Sequence, residues 1–353
     1  MLIQKLTAKN FRCFKDISLD FEAPTILMLG KNGSGKTSVM EALHYLCYLR
    51  SFRTNSPKDL ISFEQDNFFL KVEFNDIDSV QVGFSNKQRQ VKIGSKVIKS
   101  YKELLEHFCV ITLIEEDLLL ISGAPEVRRS LIDHQVLLHE PANIKLYSDY
   151  RKILENRNSL IKSGGFSSEN YNLWTDQLLE SGNKIKSLRK EQLKVLEEQV
   201  SLLLNKFFKG QNITFNYVER NGSFKNCAEL LAQKPDMPAQ ERRLFRTLIG
   251  PHLDDFTIKF NGQNSKVFAS RGQKKLIALL IKTAQANYFS KNKKGLLFLL
   301  DDFLTDFDEN KIKLSIKMLQ SLSCQLIFSC PLENKEIVDL LSSGNSRVLN
   351  IKS

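Results

Sequence analysis

The chain has 353 residues, roughly two domains at about 150 residues each. Its 42% apolar and 26% charged residues suit a globular protein with a buried core, and the longest apolar run, 276–281, is far too short to span a membrane. Lys and Arg outnumber Asp and Glu by 51 to 40, a formal charge of +11 that points to polyanionic partners such as nucleic acid.

The opening is expected to be β. Ile17, Leu19 and Phe21 alternate with Asp16, Ser18 and Asp20, the period-2 pattern of a half-buried strand. Pro24 breaks it, 25–29 reads as a buried strand, and a glycine-rich turn leads into a helix over 36–49. Short strands return over 68–98. From Asp117 to about Phe208 the pattern turns helical, with helices expected over 126–138, 142–162 and 170–208. The 163–168 turn is short enough to fold the last two into an antiparallel arm.

A strand is expected over 211–218, a loop over 234–238, and a hairpin from 256–260, Asn261-Gly262 and 266–268. A helix starting near Gly272, a strand over 296–300, a helix over 309–321 and strands over 325–328 and 347–351 complete the chain. The plan is α/β: a lobe of mixed sheet and helices (1–114 and 246–353) interrupted by a mainly helical insertion with a short arm (115–245). Lys5 and Lys9 interrupt any N-terminal apolar stretch, so no secretory signal and a cytoplasmic location are expected. Cys13, Cys47, Cys109, Cys227, Cys324 and Cys330 form no CxxC pair and read as reduced thiols.

Gly30-Lys31-Asn32-Gly33-Ser34-Gly35-Lys36-Thr37 fits GxxxxGK[ST] at every fixed position, between a strand and a helix. Glycines let backbone N–H groups face phosphate oxygens, and the helix N-terminus adds favourable potential. These eight residues and Ser38 are the candidate ATP site. Lys36 would reach the β- and γ-phosphates, and Thr37 would ligate Mg²⁺. The buried run 296–300 ends in Asp301-Asp302. Asp301 would hold the metal, and Asp302 would orient or deprotonate the attacking water. Ser270-Arg271-Gly272-Gln273 stands just before an apolar-periodic helix, where a serine, a glycine and a helix N-terminus make an anion site. The plain alternative is an N-capping serine.

Asn10-Phe11-Arg12, the P-loop, Arg128-Arg129 with Asp133, Gly250-Pro251-His252 with Asp254-Asp255, Ser270 to Gln273, and Asp301-Asp302 occur in this order. Together they resemble the RecF family of bacterial recombination mediators, which are SMC-like, ATP-binding-cassette ATPases. The resemblance implies an ATPase that dimerises on ATP, with Ser270, Arg271, Gly272 and Gln273 serving the partner's ATP. It also implies DNA binding and single-strand gap repair with RecO and RecR, with no membrane partner. Asp308 would fall near the dimer seam, and Arg12 would help on the phosphates. Transporter cassettes place a Gln near Thr112 and a His near Ser329 or Cys330, and a Glu where Asp302 stands. These departures lead to an expectation of slow turnover, and the resemblance adds that DNA would stimulate it. Another SMC-type repair ATPase is the alternative, but its long coiled coils have no counterpart here.

Lys87, Arg89, Lys92, Lys96, Lys99 and Lys102 lie in a stretch without acids and could line a face for DNA backbone, duplex or junction. Lys184, Lys186, Arg189, Lys190 and Lys194 form a second cluster on the arm. A solvated surface is the alternative for both. His252 reads as part of a structural turn.

Overall fold

The computed structural model describes residues 2–75, 79–98, 100–164, 168–292, 295–303, 307–331, 335–342 and 345–351. The chain divides into two compact units, one of residues 1–118, 199–211 and 269–353, the other of 119–198 and 212–268.

The first unit carries two sheets. Strand β1 (Ile3–Phe11) buries Ile3, Leu6, Ala8 and Phe11 and pairs antiparallel with β2 (Phe14–Asp20). β3 (Thr25–Leu29) leads to helix α1 (Lys36–Tyr48). Next come β4 (Asn67–Phe74), β5 (Val80–Ser85), β6 (Gln88–Ile93), β7 (Lys96–Val97), α2 (Tyr101–His107) and β8 (Cys109–Leu113). After the insertion follow α10 (Arg271–Asn292), β12 (Leu296–Asp301), α11 (Glu309–Gln320), β13 (Gln325–Cys330), α12 (Lys335–Ser342) and β14 (Ser346–Asn350).

The antiparallel sheet runs β2-β1-β4-β5-β6-β7, and the parallel sheet runs β14-β3-β13-β12-β8. Strands β3, β8, β12 and β13 are largely buried on both faces, as expected where both are covered, whereas edge strand β14 is only half-buried. α1 packs on β1, β4 and β5 of one sheet and on β8 and β12 of the other, so it is buried nearly all round. Because the sheet is parallel, Leu29 and Asp301 finish at the same edge, on either side of Cys330 and Ser329.

The second unit holds α3 (Leu119–Ser122), α4 (Pro125–His139), α5 (Ile144–Ser163) and the first part of α6 (Ser168–Phe207). It continues with β9 (Ile213–Val218), α7 (Cys227–Gln233), α8 (Met237–Leu244), β10 (Asp255–Phe260), β11 (Gln263–Asn264) and α9 (Ser265–Phe268). α5 and α6 are antiparallel: Arg157 donates to Thr175 Oγ1 at 3.2 Å, while Tyr147 and Arg189 meet on Asp133. Tyr150, Leu178, Leu179, Ile185, Phe224 and Leu230 form the apolar core of this unit. Beside them Arg157, fully buried, pairs with Glu241 through both oxygens at 3.0 and 2.7 Å.

Three features differ from the sequence expectation. The stretch 266–268 is helical and not a strand, because Asn264 Oδ1 accepts from Lys266 N at 3.0 Å and starts a helical turn. Residues 255–260 take β9 as their long partner, so they group with the insertion and not with the C-terminal lobe. The loop expected over 234–238 contains the start of α8, with Pro238 in its first turn. The expected turn residues 165–167 lie outside the described residues. The six cysteines are free, with Cys13 exposed. Among the described residues no helix is long and apolar enough to cross a membrane.

Candidate nucleotide site

The loop between β3 and α1 is shaped by its glycines. Gly33 and Gly35 have φ of 83° and 95°, a region that side chains rarely adopt. Gly35 also has no room: a Cβ there would run into the Phe14 ring and stand 2.9 Å from Cys13 Sγ. A Cβ on Gly30 would strike Ser34 Oγ and lie 2.8 Å from Ile351 O. Lys31, Asn32 and Gly33 are exposed at the tip, and Ser34, Lys36 and Ser38 are buried. Lys36 Nζ donates back to Gly30 O at 2.7 Å and Lys31 O at 3.1 Å. Ser34 Oγ is buried with no partner among the described residues. Cys13 Sγ lies 3.9 Å from Ser38 Oγ.

Across the sheet edge, Thr37 Oγ1 donates to Asp301 Oδ2 at 2.7 Å. Ser329 Oγ donates to Asp301 Oδ1 and accepts from Asp302 N at 3.2 Å. Both oxygens of Asp301 are therefore held. Asp302 is exposed and left-handed, with φ of 44°, an uncommon geometry for a non-glycine residue. Burial pushes the Cys330 thiol up to about 12; Asp302 pushes it the same way and Lys36 opposes. Thr112 lies on β8 in register with Leu299.

At the start of α10, Gln273 N donates to Ser270 Oγ at 3.3 Å and Ser270 N donates to Gln273 Oε1 at 2.8 Å. This is a reciprocal capping box. Ser270, Arg271 and Gln273 are exposed, Arg271 is 3.3 Å from Glu115, and a Cβ on Gly272 would meet open space. Asp308 is exposed and caps α11 through Lys311 N.

Several expected contacts are already taken. Arg12 is not free for phosphate: it forks onto buried Glu41 at 2.8 and 2.7 Å and donates to Asp59 O. The basic stretch does not form one face. Arg89 lies on the same side of β6 as buried Val91 and donates to Leu49 O, so Lys92 is on the opposite side. Lys87 sits in the turn with φ of 64°, Lys96 pairs with Glu103, and Lys102 pairs with Glu106. Lys99 lies outside the described residues.

On the arm, Lys186 and Arg189 are buried and paired, the first with Glu219 and Asp254 and the second with Asp133, while Lys190 also reaches Glu219. Those two buried cations are structural, contrary to the expectation of a phosphate-facing surface, while Lys184, Lys190 and Lys194 are exposed, as the solvated alternative has it. His252 bonds Tyr150 Oη through Nδ1 at 2.6 Å.

Ser329 is the site residue that sequence reasoning passed over as an absent His. Its partner lies 28 positions away, and only the β12–β13 register brings the two together.

A parallel sheet with a P-loop after one strand, an acid pair after another and an insertion between them defines an ABC-type ATPase head. The model of the RecF/RecN/SMC N terminal domain matches residues 2–338. A relative from Leptospira interrogans serovar copenhageni is 31% identical over 315 residues, covering 87% of this chain and 86% of its own. One from Bacillus cytotoxicus is 30% identical over 323 residues, covering 88% and 86%. Both are named DNA replication and repair protein RecF.

A solved structure of the recombination mediator protein RecF with ATP, in the RecFOR pathway, superposes with a TM-score of 0.82 at 25% identity, over 94% of this chain and 92% of its own. The Smc head domain from Pyrococcus furiosus shares the fold, at 15% identity and a TM-score of 0.54, over 100% and 94%. The chain belongs to the RecF/RecN/SMC N-terminal domain family, among its RecF members.

Proposed function

We propose that this chain is a RecF-type DNA replication and repair protein: an ATPase that closes into a dimer on ATP and acts on DNA with RecO- and RecR-like partners. The observation that carries the reading is the meeting of Thr37 and Asp301 beside Lys36, with the buried, unpartnered Ser34 Oγ in the same loop.

Lys36 would exchange its two carbonyls for phosphate oxygens. The backbone of Lys31 to Gly35 and the hydroxyl of Ser34 would cradle the phosphates, with Ser38 buried behind them. Thr37 and Asp301 offer a hydroxyl and a carboxylate, the hard oxygens that suit Mg²⁺. When bound, the ion would neutralise charge that develops on the phosphates. Asp302, exposed one residue further on, is the group for positioning water. Its short side chain and the serine at position 329 favour slow turnover.

Ser270 and Gln273 already cap α10, so the exposed helix start would meet the γ-phosphate only when a second chain brings it there. Lys87 and Lys92 remain candidates for backbone contacts to DNA.

The test separates capping from phosphate binding. Asp caps a helix about as well as Ser, but its charge repels a γ-phosphate. Ser270→Asp and Ser270→Arg should both bind ATP through the intact loop and stay monomeric in light scattering, with ATPase lost. Mixing either with Lys36→Met should rebuild one hybrid site per dimer. If both variants dimerise on ATP and hydrolyse it at the parent rate, the shared-site mechanism is wrong.

A further inference from the structure

The second unit contains a cleft of about 420 Å³, within the size range of small-ligand sites. It is lined in part by Arg129, Arg220 and Arg246 and by Leu244, Leu248 and Leu253. Arg129 is committed, donating to Asp254 O at 2.7 Å and Glu126 at 2.8 Å. Arg220 and Arg246 are exposed, and neither side chain has a hydrogen bond or ion pair among the described residues. Arg246 ends the sequence Arg242-Arg243-Leu244-Phe245-Arg246, which interleaves cations with large apolar residues. Leu244 is 48% and Phe245 59% exposed. Phe245 is also left-handed, with φ of 52°, and caps the end of α8 through its own N–H. A bulky residue in that region is strained, and such strain clusters at functional positions.

Two free guanidinium forks match phosphate oxygens. Phe245, which precedes Arg246 in the chain and stands exposed outside the cleft lining, matches an unpaired base, since stacking on aromatics is how single strands are held without sequence preference. A duplex keeps its bases stacked inside and cannot offer one to Phe245. An acidic peptide would satisfy the arginines but leave the ring without a role.

We propose that this cleft and the adjoining 242–246 segment bind single-stranded DNA, with phosphate on Arg220 and Arg246 and an unpaired base on Phe245. This rests on the reading of the chain as a DNA-binding protein and names the strand and the surface.

The experiment is fluorescence anisotropy of the full chain with a labelled oligothymidylate and, separately, a blunt duplex of equal length, across a range of salt. Phe245→Ala should weaken oligothymidylate binding about 5- to 150-fold and leave the duplex within about twofold, while Phe245→Trp should retain it. Arg220→Ala with Arg246→Ala should lower the salt slope for the single strand by about 1.4, two contacts at about 0.7 each. Equal loss on both substrates, or no loss, overturns the proposal, as does full competition by an acidic peptide. If the parent binds duplex but no single strand, the proposal falls and the DNA-binding reading stands. If it binds neither, both fall.

Discussion

Gly35 gives the sharpest test of how the phosphate loop is built. Replacing it with alanine imposes two separate penalties. A side chain at φ of 95° is strained by about 1–2 kcal/mol. The new Cβ would also overlap the Phe14 ring and stand 2.9 Å from Cys13 Sγ; forcing a carbon into packed space costs roughly another 1–3 kcal/mol. Gly35→Ala should therefore destabilise the first unit by about 2–5 kcal/mol, or about 4–20 °C in Tm at about 2–4 °C per kcal/mol.

Gly33 is the control. It has φ of 83°, but a Cβ there would have nothing within 4 Å, so Gly33→Ala should lose only the strain part, about 1–2 kcal/mol. Shortening the ring should return part of the difference, so that Gly35→Ala with Phe14→Leu loses less than the two single changes combined. Thermal melts and binding of a fluorescent ATP analogue would be measured on all four variants. If Gly35→Ala melts no lower than Gly33→Ala, or Phe14→Leu gives no rescue, the ring does not set the shape of the loop.

Two further expectations concern the second unit. Arg157→Met leaves Glu241 buried with, among the described residues, only Tyr171 Oη, at 2.9 Å, and Leu248 N, at 2.8 Å; it should destabilise by about 3–5 kcal/mol, and adding Glu241→Leu should recover part of that in urea titrations. Burial pushes the His252 imidazole down to about 4, with Arg129, Arg157 and Arg189 acting in the same direction. The unfolded chain takes up that proton near pH 6.5 and the folded one only near 4, so this contribution is complete above pH 6.5 and lost as the pH falls. His252→Gln should flatten the stability-versus-pH slope, removing a stability loss of roughly 3 kcal/mol over this pH range, about 2.5 pH units at about 1.4 kcal/mol each. An unchanged slope would refute a buried neutral imidazole.

Sequence reading succeeded where local structure depends on neighbours along the chain. The P-loop needs a strand, glycines and a helix in one stretch, and the acid pair needs only the end of a buried strand. Reading failed where partners are distant. Five cations on the arm look like one basic stripe, yet Lys186 and Arg189 turn inward to Glu219, Asp254 and Asp133, just past β9, on the approach to β10 and on α4. Nothing local to 184–194 signals those acids. Arg12 was lost to Glu41 in the same way, across 29 positions. Lys266 to Phe268 failed for a different reason: their β propensity is outweighed by a single Asn264 cap.

The side chains of Lys36 and Thr37 in the candidate nucleotide site are paired within it. Lys36 donates its ammonium to two neutral carbonyls; those bonds are already charge-assisted, and exchanging the carbonyls for anionic phosphate oxygens adds a direct charge–charge attraction. Thr37 is different, because its hydroxyl donates to an ionisable group, Asp301, and giving up that bond has a real cost. The cost is limited by Ser329, which holds the other oxygen of Asp301. The carboxylate therefore keeps its aim when Thr37 turns away. Ser329 also accepts from Asp302 N, so one side chain sets the direction of both acids. The serine at 329 therefore ties the two acids to each other, so that a change at one is felt by the other.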